Sequence, residues 1–352
     1  MSKVIEYIDG RRLKSGNIEY RYFAGTAYLG IPYDADFQRY LHEGMMKYGS
    51  SYGGSRRSNF EFEVYAEFEN WLAGWLGAEK AITLSSGTLA GQLLRPTVKD
   101  FDHVIYLPSD HPAVDYGHGI YLKNSKDWHE SLQSYLSQWK GQHILIVSAT
   151  VENAQLSILD VELLSQLYHE FPFTLLLDDS HGIGVLGTSG SGISSLLPAS
   201  LRNSSIIVGS LGKAMGLPGG FVAGNAERVS RIAESPLFGG SSPLIPASIY
   251  AFEKIKSTLP DKINALKTNI ALINTYFPTL DQWKVHPQLS IATCLKNDVD
   301  DFFLKNHCLI SSFAYPTLQD PVTSRLVFNA LHTPEDIEWA FNLCRKAVDA
   351  MQ

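Results

Sequence analysis

Between Leu175 and Gly187 the chain reads LLLDDSHGIGVLG, and between Asn203 and Ala226 it reads NSSIIVGSLGKAMGLPGGFVAGNA. The first stretch is a short apolar run that stops at two adjacent acids and a histidine. A run of that length, bounded by Gly and small polar residues, reads as a buried strand. Ligand sites of open α/β sheets lie at the carboxyl ends of such strands. In the second stretch Lys213 is the only charged residue, and Gly212, Ala214, Gly216, Gly219 and Gly220 crowd around it. Glycine permits positive φ and close backbone approach, as a turn packed against a ligand requires. Desolvation disfavours the charged form of a lysine held in such surroundings. The neutral amine attacks carbonyls, which is how Schiff-base lysines are prepared. The plain alternative is a lysine that snorkels to water.

Working outward, the spacing predicts strands near Lys80–Leu84, 104–107, 144–148, 174–177, 206–209 and 220–223. Within residues 60–76, Val64, Phe68, Trp71, Leu72 and Trp75 form one helical stripe. Helices are also expected after Gly87 and over 160–168. Strands alternating with helices imply a mostly parallel sheet covered on both faces. After Ser242 the pattern changes to one long helix, roughly 246–275, then strands near 290–294 and 325–328. That pattern predicts a second, smaller α/β domain. Residues before Tyr40 have no decisive pattern.

The chain has 352 residues, 45% hydrophobic and 18% charged, enough for two packed domains. A formal net charge of −7 disfavours nucleic acid or an anionic membrane as a general partner. Cys294, Cys308 and Cys344 form no CxxC pair, which favours a reducing compartment and argues against a structural zinc site. The N-terminus, MSKVIEYIDGRRLKSGN, lacks the apolar core of a signal peptide, and the cytoplasm is expected. The apolar stretch 206–224 contains six glycines, a proline and a lysine, so it reads as strand, turn and strand rather than a membrane span.

Two further clusters carry chemistry. One of the adjacent carboxylates, Asp178 or Asp179, could pair with a protonated ring nitrogen, and His181 could donate to a phenolate oxygen. The bland reading is that adjacent acids cap the next turn. Leu84-Ser85-Ser86-Gly87-Thr88-Leu89-Ala90 places free N–H groups and hydroxyls at a helix start, where a phosphate binds. A serine N-cap is the simpler explanation. Gly182-Ile-Gly184-Val-Leu-Gly187 spells GxGxxG, but DDSH separates it from the strand, and the next acid after Asp179 is Glu227. The dinucleotide reading therefore fails on context.

These clusters, in this order, resemble the α-oxoamine synthase family of fold-type I pyridoxal-phosphate enzymes, which includes 8-amino-7-oxononanoate synthase and 2-amino-3-ketobutyrate CoA ligase. The resemblance runs from about Ala27 into the C-terminal region. It is carried by AYLGI (27–31), GSSYGGSR (49–56), LSSGT (84–88), SDHPAVDYG (109–117), LDDSHGIGVLG (177–187), GSLGKAMGLPGGF (209–221) and RLVFNALHTPEDI (325–337). It implies a large domain, residues 46–245, with a mostly parallel seven-stranded sheet that binds pyridoxal 5′-phosphate. It also implies a smaller α/β C-terminal domain, 246–352, with residues 1–45 associated with it.

The roles implied by the resemblance are specific. Lys213 matches the Schiff-base lysine and Ser210 a phosphate-binding hydroxyl. Asp178 matches the partner of the pyridine nitrogen, His181 the donor to the ring oxygen, and His111 the histidine stacked on the ring. Ser86, Gly87 and Thr88 match the phosphate loop, and Arg325 the arginine that grips the amino-acid carboxylate. The chain departs from the family at 151–156, VENAQL, where a Ser-Met-Asp-Gly-like segment is usual; Asn153 is the candidate to take that place. The loop that reaches the neighbouring subunit's phosphate is altered too, leaving Ser241 and Ser242 as candidates. The implied reaction joins a small amino acid to an acyl-CoA thioester with loss of carbon dioxide, in a homodimer with a shared active site. An aminotransferase on the same fold is the alternative, and a non-catalytic binding or regulatory protein is the alternative of another class.

Overall fold

The computed structural model describes residues 4–109, 111–122, 127–152, 155–296, 299–314 and 319–350. Its centre is a seven-stranded sheet in the order Lys80–Leu84, Gly220–Gly224, Ser205–Ser210, Thr174–Asp178, Ile144–Ala149, His103–Tyr106, Ile120–Tyr121. Only Gly220–Gly224 runs against its neighbours; the rest point one way. Every residue of Thr174–Asp178 is buried, because helices cover both faces and a parallel strand must be apolar on each. Each fully buried leucine contributes roughly 1.5–3 kcal/mol. On the helix Glu63–Leu76 the predicted stripe faces inward through Val64, Phe68 and Leu72, with Trp71 and Trp75 half-buried.

The carboxyl ends of these strands lead directly into the candidate residues. Lys80–Leu84 leads into Ser85–Thr88, Thr174–Asp178 ends on the acid itself, and Ser205–Ser210 leads into Lys213. Glycines set how closely these segments meet. A Cβ on Gly220 would lie 2.2 Å from the Ser86 carbonyl oxygen, and one on Gly87 would lie 2.8 Å from Ser210 Cα. No side chain fits at either position. The literal GxGxxG is explained differently. A Cβ on Gly182 would lie 1.9 Å from an Asp179 oxygen, and a 3-10 turn, Gly192–Ser195, follows rather than a helix.

A second seven-stranded sheet has the order Tyr7–Ile8, Arg12–Ser15, Ile18–Phe23, Cys308–Ala314, Val322–Val327, Ile291–Cys294, Trp283–Val285. Its strands alternate in direction except Ile18–Phe23 beside Cys308–Ala314, which are parallel. The first three strands come from the part of the chain whose pattern is indecisive. The expected helix over 246–275 is two helices, Pro246–Ile255 and Leu259–Tyr276, joined by a 3-10 turn. Pro260 explains the break: its ring would clash with the carbonyl four residues back, at Lys256. Cys294, Cys308 and Cys344 are free and buried. Among the described residues no helix is long and apolar enough to cross a membrane.

Candidate active site

A cavity of about 990 Å³ opens where the parallel strands end. Its walls bring together Ser86, Gly87, Thr88, His111, Asp178, His181, Ser210, Lys213 and, from the second sheet, Phe313, Thr323 and Arg325. Residues distant in the sequence converge here because adjacent parallel strands deliver their carboxyl ends to one edge. A smaller cavity of about 380 Å³ lies at the amino ends, by Ile144, Thr174 and Ile206, and holds none of these residues.

Lys213 sits in a tight loop closed by Leu211 N–H on the Gly219 carbonyl and Leu217 N–H on the Leu211 carbonyl. Burial is the main cause that pulls its amine down to about 8; the Arg325 charge adds to this and the Asp178 charge opposes it. Its Nζ lies 2.7 Å from His181 Nε2. Burial, then the Lys213 and Arg325 charges, hold His181 well below the usual imidazole range, so the ring is neutral. A neutral imidazole has one N–H and one bare nitrogen. His181 Nδ1 meets the buried Tyr28 hydroxyl at 2.9 Å. When Tyr28 donates to Nδ1, the proton is on Nε2 and points into the cavity.

Asp178 and Asp179 diverge. Thr150 N–H donates to the Asp178 carbonyl and Asp179 N–H to the Val208 carbonyl, which fixes the backbone between them. The Asp178 side chain reaches the cavity. Its Oδ1 accepts from Ser180 N–H (3.0 Å) and the Ser180 hydroxyl, and its Oδ2 lies 3.3 Å from His111 Nδ1. Ala113 N–H lies 3.1 Å from the same nitrogen, which anchors the imidazole beside the carboxylate. Asp179 turns away into the protein, fully buried. The Thr150 hydroxyl donates to its Oδ1, and Ile193 N–H to its Oδ2 at 2.9 Å. Burial pushes this carboxyl up to about 7.

Around the expected phosphate position, Ser86 is the N-cap of Gly87–Gln92 and accepts from Leu89 N–H at 3.1 Å. Its hydroxyl oxygen therefore serves the helix, whose first N–H groups, those of Gly87 and Thr88, have no acceptor within it; both residues line the cavity. Ser210 accepts from Gly212 N–H at 3.2 Å. Across the cavity Arg325 lies on Val322–Val327, opposite Thr293 on one side and Ser311 on the other. Its guanidinium lies 5.5 Å from the Phe313 ring centre.

Three expected residues are not assembled by this chain's described residues. Asn153 lies outside them. Ser241 and Ser242 follow the short helix Pro236–Gly240, outside the cavity; the Ser241 hydroxyl donates to the Leu237 carbonyl. Conversely, Glu152 and Gln155 line the wall beside Val151, and Ser180 and Thr26 line it too. Ser180 and Tyr28 stand inside quoted motifs, DDSH and AYLGI, yet only the fold reveals their partners. Glu152 lies in the divergent stretch 151–156, where the sequence reading favoured Asn153 instead.

The residues present fit pyridoxal phosphate. The Lys213 amine is depressed and contacts an imidazole, Gly87 of the 86–88 loop admits no Cβ, and Asp178 has one oxygen tied down and the other at the cavity.

Comparison with known proteins agrees with this chemistry. The family model "aminotransferase class I and II" matches residues 38–341. The chain is 26% identical to an 8-amino-7-oxononanoate synthase of Dechloromonas aromatica, over 76% of this chain and 74% of that one. It is 26% identical to a serine palmitoyltransferase of Bacteroides ovatus, over 76% and 71% of the two chains. Among solved structures, a serine palmitoyltransferase of S. paucimobilis superposes with a TM-score of 0.86 at 19% identity, covering 99% of this chain and 92% of that one.

Proposed function

Because the chain belongs to the aminotransferase class I and II family, we propose that it is a pyridoxal-phosphate-dependent α-oxoamine synthase that condenses a small amino acid with an acyl-CoA thioester and releases carbon dioxide. The observation that carries this reading is the pairing of Lys213 with neutral His181 in the cavity that also holds Asp178 and Arg325. Relatives named 8-amino-7-oxononanoate synthase and serine palmitoyltransferase support the acyl-transfer class.

When bound, pyridoxal phosphate supplies an electron sink for negative charge developed at the amino acid's Cα. The chain's own residues bind, orient and move protons. Gly87 and Thr88 N–H groups at a helix start hold the phosphate. Lys213, neutral in much of its population near pH 8, takes and returns the proton at Cα. Asp178 keeps a proton on the ring nitrogen, since an adjacent carboxylate favours the charged form of its partner. His181 donates from Nε2 to the ring oxygen while Tyr28 holds its other nitrogen. Arg325 grips the substrate carboxylate through paired hydrogen bonds, its side chain steadied against Phe313.

Purified protein with glycine, alanine or serine and a panel of acyl-CoA thioesters tests the reading. Free thiol should appear only when both substrates are present, with carbon dioxide released in step. Stoichiometric keto acid from the amino acid alone, with the cofactor restored by a second keto acid, would replace the synthase with an aminotransferase.

A further inference from the structure

Asp178 and Ser210 stand on neighbouring strands, and one hydroxyl joins them. Ser180 is buried at the rim of the cavity. Its Oγ donates to Asp178 Oδ1 and accepts from Ser210 N–H at 2.9 Å, while its own N–H donates to the same Oδ1 at 3.0 Å. A serine hydroxyl has one proton to give and lone pairs to accept with, so both bonds form together. Ser210 in turn accepts from Gly212 N–H, the residue before Lys213. The chain of bonds thus runs from the acid on Thr174–Asp178 to the lysine loop after Ser205–Ser210.

We propose that Ser180 is a positioning residue for the cofactor, resting on the pyridoxal-phosphate reading above. With both Ser180 donors on Oδ1, only Oδ2 faces the cavity, so the carboxylate meets a ring nitrogen in one orientation. Replacing Ser180 by alanine removes one of the two donors that hold Asp178 Oδ1, leaving only the backbone N–H, and leaves Ser210 N–H without its acceptor. The hydrogen bond to a charged group is the larger loss.

The test measures the dissociation constant for pyridoxal phosphate by equilibrium dialysis, beside the thermal unfolding of each cofactor-free variant. Ser180→Ala should weaken binding about tenfold or more and shift the pH midpoint of the bound cofactor's visible absorbance. Ser180→Thr, which keeps the hydroxyl, should stay near wild type in both. In an Asp178→Ala background, Ser180→Ala should cost little further affinity, because the two act as one unit. Should the alanine variant fail to fold, Ser180→Cys, a much weaker donor, must lose affinity in the same sense. Unchanged affinity in the folded Ala or Cys variant overturns the inference, even if unfolding temperature falls. So does a fully additive loss in the double variant. Wild-type protein that takes up no pyridoxal phosphate would remove the cofactor reading itself, and the inference with it.

Discussion

Lys213 and Asp178 are coupled across the cavity, and the sign of the coupling is testable. Burial lowers the Lys213 amine to about 8 while the Asp178 charge holds it up. Below that pH the amine is protonated and poorly nucleophilic; above it the free amine dominates. In the cofactor-free protein, the rate of pyridoxal condensation at Lys213 should therefore rise with a midpoint near pH 8, against about 10.4 for an ordinary lysine. Asp178→Asn removes the opposing charge and should move the midpoint lower. Asp179→Asn should leave it in place, because that side chain points to Thr150 and Ile193 rather than the cavity. Mass mapping of the borohydride-fixed adduct against pH reads all three proteins. A midpoint that rises in Asp178→Asn, or that moves only in Asp179→Asn, would put the wrong acid in the site. The residue-level chemistry was visible in the sequence where a charge stood alone among glycines, as Lys213 does. Which of two adjacent acids faces the ligand needed the resemblance, and Ser180 and Tyr28 needed the fold, since a hydroxyl's role depends on partners far along the chain.

At the scale of elements, the cofactor loop depends on glycines whose neighbours arrive from other strands. Gly220 lies in an antiparallel strand whose backbone passes against Ser86; its Cβ would lie 2.2 Å from one backbone oxygen and 2.6 Å from Gly87 N. Backbone must move to admit a methyl group. Gly220→Ala should therefore destabilise the protein by about 1–3 kcal/mol and also weaken pyridoxal-phosphate retention, since the displaced segment is the one that meets the phosphate. Gly74, inside the helix Glu63–Leu76, has nothing within 4 Å of the point where a Cβ would stand. Gly74→Ala should stabilise by about 0.5–1 kcal/mol without touching cofactor affinity. Calorimetry and dialysis on both variants decide; a Gly220→Ala protein with normal stability and affinity would contradict the close approach. The strands of the parallel sheet were legible because burial on both faces makes them unbroken apolar runs. The N-terminal strands were not, being short and mixed in composition, although the two-residue Gly16-Asn17 connection between Ser15 and Ile18 is a hairpin signal. The break at Lys256–Thr258 was legible in principle from Pro260; helical periodicity on either side concealed it.

At the scale of the whole molecule, the surface around residues 46–62 is rich in apolar side chains and held together by cross-contacts. Met46 is 79% exposed and Phe60 58%, and Leu237 is exposed as well. Tyr48 packs its ring on Phe62, and Tyr52 packs on both Phe60 and Phe62. The Ser55 hydroxyl donates to the Gly239 carbonyl and the Arg57 guanidinium to the Glu234 carbonyl, tying residues 55–57 to the segment before Ser241 and Ser242. Large exposed aromatic and methionine side chains on an ordered framework are what a subunit interface buries. If two copies meet here, Ser241 and Ser242, which lie outside their own chain's cavity, come from the side that faces the partner. The chain is accordingly expected to be a homodimer in which each cavity uses Lys213 of one subunit and the 241–242 loop of the other. Light scattering should give twice the chain mass, and Phe60→Glu should shift it toward the monomer with loss of activity. Complementation is the sharper measurement: Lys213→Ala and a Ser241→Ala, Ser242→Ala double variant, each inactive alone, should regain activity when unfolded and refolded together. The mixed dimer then holds one cavity with both intact contributions. A fully active monomer would reject the dimer, and inactivity of the mixture, with mixed dimers demonstrated, would place the loop outside the partner's site.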